Sequence, residues 1–173
     1  ASICRKLLED VGIEIGSRVV QIHTVKDLTI IPENTSPTML NKMVDKSPVR
    51  CLDNKSEKLM IEAIDEAKKE GDSVGGIFEV IAHGLPYGLG SYVQWDKKLQ
   101  ARIAGSMMSI NAFKGMEVGM GFQSAESLGS EVHDEIGWSK KRYIRFTNNA
   151  GGIEGGMSNA QPIIIRAVMK PIP

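Results

Sequence analysis

The sequence predicts an α+β fold in which helices pack on a largely antiparallel sheet, and three features carry that expectation. β-rich stretches recur at 17–27, 77–82 and 162–169. Two amphipathic stretches, Ser56–Glu70 and Asp96–Asn111, repeat their apolar residues at the period of a helix. No composition break is long enough to be a linker and no repeat of fixed period occurs, so residues 1–173 read as a single domain.

The elements follow in order. Ile3, Leu7 and Leu8 share one face of a short opening helix. Ser17–Asp27 alternates apolar and polar residues, as a half-buried strand does. Residues 30–54 hold three prolines and scattered polar side chains, a variable connection with room for one short helix. Ser56–Glu70 is the clearest helix: Met60, Ala63, Ile64 and Ala67 share a face, Ser56 is the candidate N-cap and Gly71 the C-terminal stop. A turn at 71–76 leads into a strand at 77–82, and a glycine-rich turn over 83–92 follows. Asp96 is the candidate cap of a second helix with the stripe Leu99, Ile103, Met107 and Ile110, expected to be buried. Gly115–Phe122 reads as a strand with glycines at close-packing points. Gln123–Lys141 is polar with little periodicity and reads as an exposed loop, Tyr143–Thr147 as a short strand, and Pro162–Met169 as the last strand.

Composition narrows the function classes. The hydrophobic fraction of 42% and charged fraction of 24% are those of an ordinary soluble globular protein. Twenty-one basic residues balance 21 acidic ones without an extended basic run, which argues against a nucleic-acid partner. No apolar stretch approaches the roughly 18 residues of a membrane span. Cys4 and Cys51 have no metal-ligand spacing and read as buried, reduced thiols of a cytoplasmic protein, with a single disulfide as the alternative. His23, His83 and His133 form no metal motif, so no metal site is expected. The first and last residues have the character of a piece cut from a longer chain.

Three segments carry candidate chemistry. Gly84–Ser91 packs three glycines and a proline between strand and helix, which suits a tight turn or a close backbone approach. Asn148–Met157 holds two Gly-Gly pairs, and bare amides in succession can converge on an anion or a carbonyl-rich ring. It is neither a Walker loop nor a GxGxxG fingerprint. Lys170 ends an apolar strand and is fixed by Pro171, which makes it either a pre-positioned charge or a solvated surface lysine. Together they suggest a small-molecule site for an anionic or ring-shaped ligand.

Read in order, GDSVGG, LPYGLGSYV, MSINAFKGMEVGMGF, NNAGGIEGGMSNAQPI and AVMKPIP resemble the chorismate synthase family, from about Val20 to Pro173. The resemblance implies a β-α-β sandwich with helices between largely antiparallel sheets, a homotetramer, and a requirement for reduced FMN. It implies conversion of 5-enolpyruvylshikimate 3-phosphate to chorismate and phosphate by 1,4-elimination without net redox change. NADP enters only as a family association, and the residues leave open whether the enzyme or a separate reductase reduces the flavin. Carried over position by position, the cofactor contacts are Asn111, Ala112, Gly155, Lys170, Pro171, Ile172 and Pro173. A lysine and bare amides suit the anionic reduced flavin.

Two departures accompany the resemblance: Gln100 stands where the family usually has Asp, and Ala160 where it usually has Gly, which bears on a turn. The family's Gly-Glu-Ser-His-Gly, Ser-Ala-Arg and Arg-Ser-Asp segments do not occur in these residues. His83 and His133 do not sit in the catalytic histidine contexts, so no catalytic residue is assigned. The 173 residues alone are therefore expected to be inactive, with a non-catalytic oligomerisation and flavin-contacting core as the alternative reading.

Overall fold

The computed structural model describes residues 2–32, 34–139 and 141–173; Ala1, Glu33 and Lys140, which belong to the opening segment, the 30–54 connection and the 123–141 segment, lie outside the described residues. In chain order the elements are α1 (Ser2–Asp10), β1 (Glu14–Ile22), β2 (Val25–Lys26), α2 (Pro37–Val44), α3 (Asn54–Lys69), β3 (Gly76–His83) and β4 (Tyr87–Gly90). There follow α4 (Leu99–Met108), β5 (Phe113–Val118), α5 (Gly129–Val132), β6 (Ile136–Ser139), β7 (Arg142–Arg145), β8 (Ile153–Glu154), β9 (Met157–Asn159) and β10 (Ile163–Met169).

Five strands form one antiparallel sheet in the order β2-β1-β3-β10-β5. The α+β class is as expected. Because side chains alternate across a strand, register fixes what each face carries. Arg18, Glu79, Arg166 and Glu117 stand side by side across β1, β3, β10 and β5 on one face. Arg18 Nε lies 2.9 Å from Glu79 Oε1, both nearly buried. Arg166 Nε lies 2.7 Å from Glu117 Oε1, an ion pair whose angle falls outside hydrogen-bond geometry. On the same face Ile81 packs with Leu40 and Val44 of α2. The opposite face carries Phe78, Ile163, Ile165 and Ala167, the last three buried. Phe78 there meets Phe113, ring centroids 5.2 Å apart.

Helix α4 lies between two sheets. Its body packs on β5, and its first amide donates to Gly156 O at 2.8 Å beside the small sheet β4-β9-β8. This is the helix-between-sheets arrangement in miniature.

Several local expectations are corrected. The strand expected over 17–27 is a hairpin, because His23 takes a left-handed conformation, φ 51°, and folds the chain back. Asp53, not Ser56, caps α3: its carboxylate accepts from Ser56 N at 2.7 Å, three residues on. Asp96 sits in a 3₁₀ turn, and α4 begins at Leu99 without a side-chain cap. The stripe Leu99, Ile103, Met107 is half-buried rather than buried, and Ile110 is exposed. The polar segment 123–141 contains α5 and β6. Cys51 is buried but Cys4 is exposed, and both are free thiols. Ile3 and Leu7 of α1 are exposed too.

Candidate functional site

One end of the large sheet gathers most of the residues singled out above. Register places Met169, the last residue of β10, beside Gly76 at the start of β3 and Phe113 at the start of β5. The chain leaves this edge as Lys170–Pro173 and arrives at it through Asn111–Ala112, the link from α4. Lys170 N–H donates to Ala112 O at 3.0 Å, so the two segments are tied backbone to backbone. Ala112 is held at φ 71°, a left-handed conformation that an L-residue adopts at a penalty. Backbone strain of this kind clusters at functional sites.

Lys170, Pro171, Ile172, Pro173 and Asn111 are exposed, and Lys170 makes no ion pair among the described residues. The edge therefore offers a free ammonium and a primary amide flanking a strained backbone link. That donor set suits an anionic, planar partner. The thiols and histidines of the chain form no metal cluster among the described residues.

Gly155 lies elsewhere. It forms the turn between β8 and β9, next to Gly156, whose carbonyl receives the first amide of α4. Asn111 lies just past the other end of that ten-residue helix, so the helix length of about 15 Å separates them. A Cβ on Gly155 would meet nothing within 4 Å. Within this chain the structure brings together Asn111, Ala112 and Lys170–Pro173, and leaves Gly155 apart.

The first part of the glycine-rich loop, residues 149–152, uses its amides internally. Asp134 accepts from Asn149 N at 2.7 Å, from Ala150 N at 3.0 Å and from the Thr147 hydroxyl at 2.5 Å. Asn148 Oδ1 accepts from Gly152 N at 3.0 Å. The Asn149 and Ala150 amides thus hold a carboxylate of the protein itself, and the Gly155–Gly156 turn takes no part in that seat. Burial pushes the Asp134 carboxyl up, but the Thr147 hydroxyl and the Ala150 and Asn149 amides outweigh it and hold the group below its ordinary value. Asp134 sits in a polar stretch without period, so nothing in the sequence distinguished it from its acidic neighbours.

Two grooves flank the sheet. The larger, about 870 Å³, runs along the charged face past Arg18, Glu79, His83 and Arg166 and includes none of the candidate residues. The Arg18–Glu79 and Arg166–Glu117 pairs in its lining are formed across neighbouring strands. The smaller, about 460 Å³ and mainly apolar, lies between α3 and the sheet and shares Gly75 and Met169 with the candidate edge. It is large enough for a small organic ligand.

The comparisons with known proteins extend over the whole chain. The family model described as chorismate synthase matches residues 1–173. A chorismate synthase 2 of Bacillus cereus is 53% identical over 173 residues, covering 99% of this chain and 44% of the relative. A chorismate synthase of Listeria welshimeri is 55% identical over 174 residues, with coverage of 99% and 44%. A crystal structure of chorismate synthase superposes with a TM-score of 0.90 at 44% identity, covering 99% of this chain and 53% of that one. The chain thus spans less than half the length of the curated relatives it matches.

Proposed function

As the chain belongs to the chorismate synthase family, we propose that it is part of an enzyme that converts 5-enolpyruvylshikimate 3-phosphate to chorismate and phosphate. The match of the family over all 173 residues carries this reading. The reaction removes a proton and expels phosphate in a 1,4-elimination, so it needs a positioned base and groups that stabilise the departing anion. None of these 173 residues is assigned to that work, and the chain's part is to hold the cofactor.

Reduced FMN, when bound, supplies electron density for the cleavage of an unactivated C–H bond. Asn111, Ala112, Lys170, Pro171, Ile172 and Pro173 would hold it from one side, and the free ammonium of Lys170 supports this assignment by matching a ring that gains negative charge on reduction. Gly155, a helix length away, would contact flavin only if a second copy of the chain or another part of the parent brings it near. That requirement agrees with a homotetramer. The setting is cytoplasmic, supported by two free thiols and by the absence, among the described residues, of a helix long and apolar enough to cross a membrane. NADP serves at most in reducing the flavin.

The experiment uses the full-length parent under anaerobic conditions. The parent is expected to form chorismate with reduced FMN, and a purified 173-residue chain is expected to form none. Lys170→Ala in the parent is expected to weaken reduced FMN about tenfold and oxidised FMN much less, since only the reduced ring carries the extra charge. Equal losses for both redox forms would make the lysine structural.

A further inference from the structure

The motif Gly71-Asp-Ser-Val-Gly-Gly76 has no role in the reading above, yet its fifth residue touches the candidate edge. Gly75 stands just before β3, and a Cβ built on it would lie 2.5 Å from Met169 O, 3.0 Å from Pro171 Cδ and 3.2 Å from Pro171 N. The nearest atom is main chain, which cannot rotate out of the way as a side-chain tip can. Met169 cannot yield alone, because it is registered between Gly76 and Phe113. Lys170 cannot yield alone either, because its amide is bonded to Ala112 O at 3.0 Å. Gly75 is itself anchored on its far side, where its carbonyl receives the His23 amide at 3.0 Å.

We propose that Gly75 is a positioning residue for the cofactor site: by lacking a side chain it lets Pro171 lie against the 75–76 backbone, and this contact sets the direction in which Lys170 leaves β10. The inference rests on the flavin-contacting reading of Lys170. Proline restricts the residue before it, so the position of the Pro171 ring and the backbone angles of Lys170 are linked. A methyl group at 75 must push the Met169–Pro171 main chain outward. That shift lengthens the Lys170–Ala112 link and turns the ammonium away from the ring it serves. A displacement of about 1 Å is enough to degrade a site that depends on a fixed geometry.

The test is a double-mutant cycle in the full-length parent, reading the ratio of oxidised to reduced FMN dissociation constants with thermal midpoints recorded in parallel. Lys170→Ala is expected to lower that ratio about tenfold. Gly75→Ala is expected to lower it severalfold, and the double variant to lower it no further than Lys170→Ala, because both changes remove the same interaction. A merely structural role for Gly75 would lower the thermal midpoint and weaken both redox forms alike. If Lys170→Ala lowers the ratio and Gly75→Ala leaves it at the wild-type value, or if the two effects add, the positioning role is overturned while the flavin reading stands. If Lys170→Ala itself leaves the ratio unchanged, the assignment of Lys170 fails and takes this inference with it. Should Gly75→Ala not fold, Pro171→Gly relaxes the same contact from the other side. It is expected to lower the ratio severalfold, and an unchanged ratio there overturns the proposal.

Discussion

Asp134 shows how much one carboxylate can organise. It joins three hydrogen-bond donors, the Thr147 hydroxyl and the Asn149 and Ala150 amides, to a segment that reads, from sequence, as featureless loop. Its folded-state value lies below the ordinary 3.8, so its stabilisation is present above that value and is lost as pH falls through the lower folded value. Asp134→Asn removes the charge but keeps one acceptor. The variant is expected to lose about 2 kcal/mol at neutral pH, with the difference from wild type shrinking as pH is lowered below 4. Denaturant titrations of the parent between pH 7 and pH 3 measure it; a difference independent of pH would show that charge plays no part. Buried Cys51 is the contrasting case: burial drives its thiol up to about 11, and nearby Asp27 adds to the effect, so it stays an unreactive thiol.

At the scale of elements, glycines that look alike in sequence separate by what surrounds them. Gly151 and Gly155 both have a φ near 60°. A Cβ on Gly151 would strike the backbone of Gly119, where the loop is stitched to the end of β5, whereas one on Gly155 meets open space. Gly155→Ala is thus expected to cost only the left-handed penalty of about 1 kcal/mol. Gly151→Ala adds a main-chain collision and is expected to lose more than about 3 kcal/mol. Equal thermal shifts for the two variants would contradict the packing described here. The helices were legible from period: α3 and α4 stand within a few residues of their expected bounds. Their caps were not. Asp53 lay outside the apolar pattern, and the start of α4 is fixed by a carbonyl 57 residues away, Gly156 O, whose sequence neighbours give no sign of it.

For the whole molecule, the row Arg18, Glu79, Arg166 and Glu117 crosses four strands with alternating sign. Alternation lets each charge lie beside an opposite one and disfavours any register slip, since a slip by one residue moves a strand's charges to the other face. Glu79→Ala leaves Arg18 nearly buried with its partner gone, and a loss of about 3 to 5 kcal/mol is expected. Replacing the pair together, Arg18→Met with Glu79→Leu, is expected to restore most of it, as measured by denaturant midpoints. If the double variant is no more stable than Glu79→Ala, the pair contributes through something other than compensated charge.

The sequence by itself determined the class of fold, the helical and strand segments and the family, because periodicity and ordered motifs are local or nearly local properties. It also placed Ala160 as the departure from a usual glycine, and the structure holds that residue at φ 63°, a conformation glycine adopts freely. Only the tertiary structure decided which motifs meet. It tied Asn111–Ala112 to Lys170, put Gly75 beneath Pro171, and set Gly155 a helix length away. It also showed that the first part of the glycine-rich loop is a seat for Asp134. Strand order and register settle such meetings, and they are fixed by burial on both faces of the sheet, a balance that no single segment carries in its own residues.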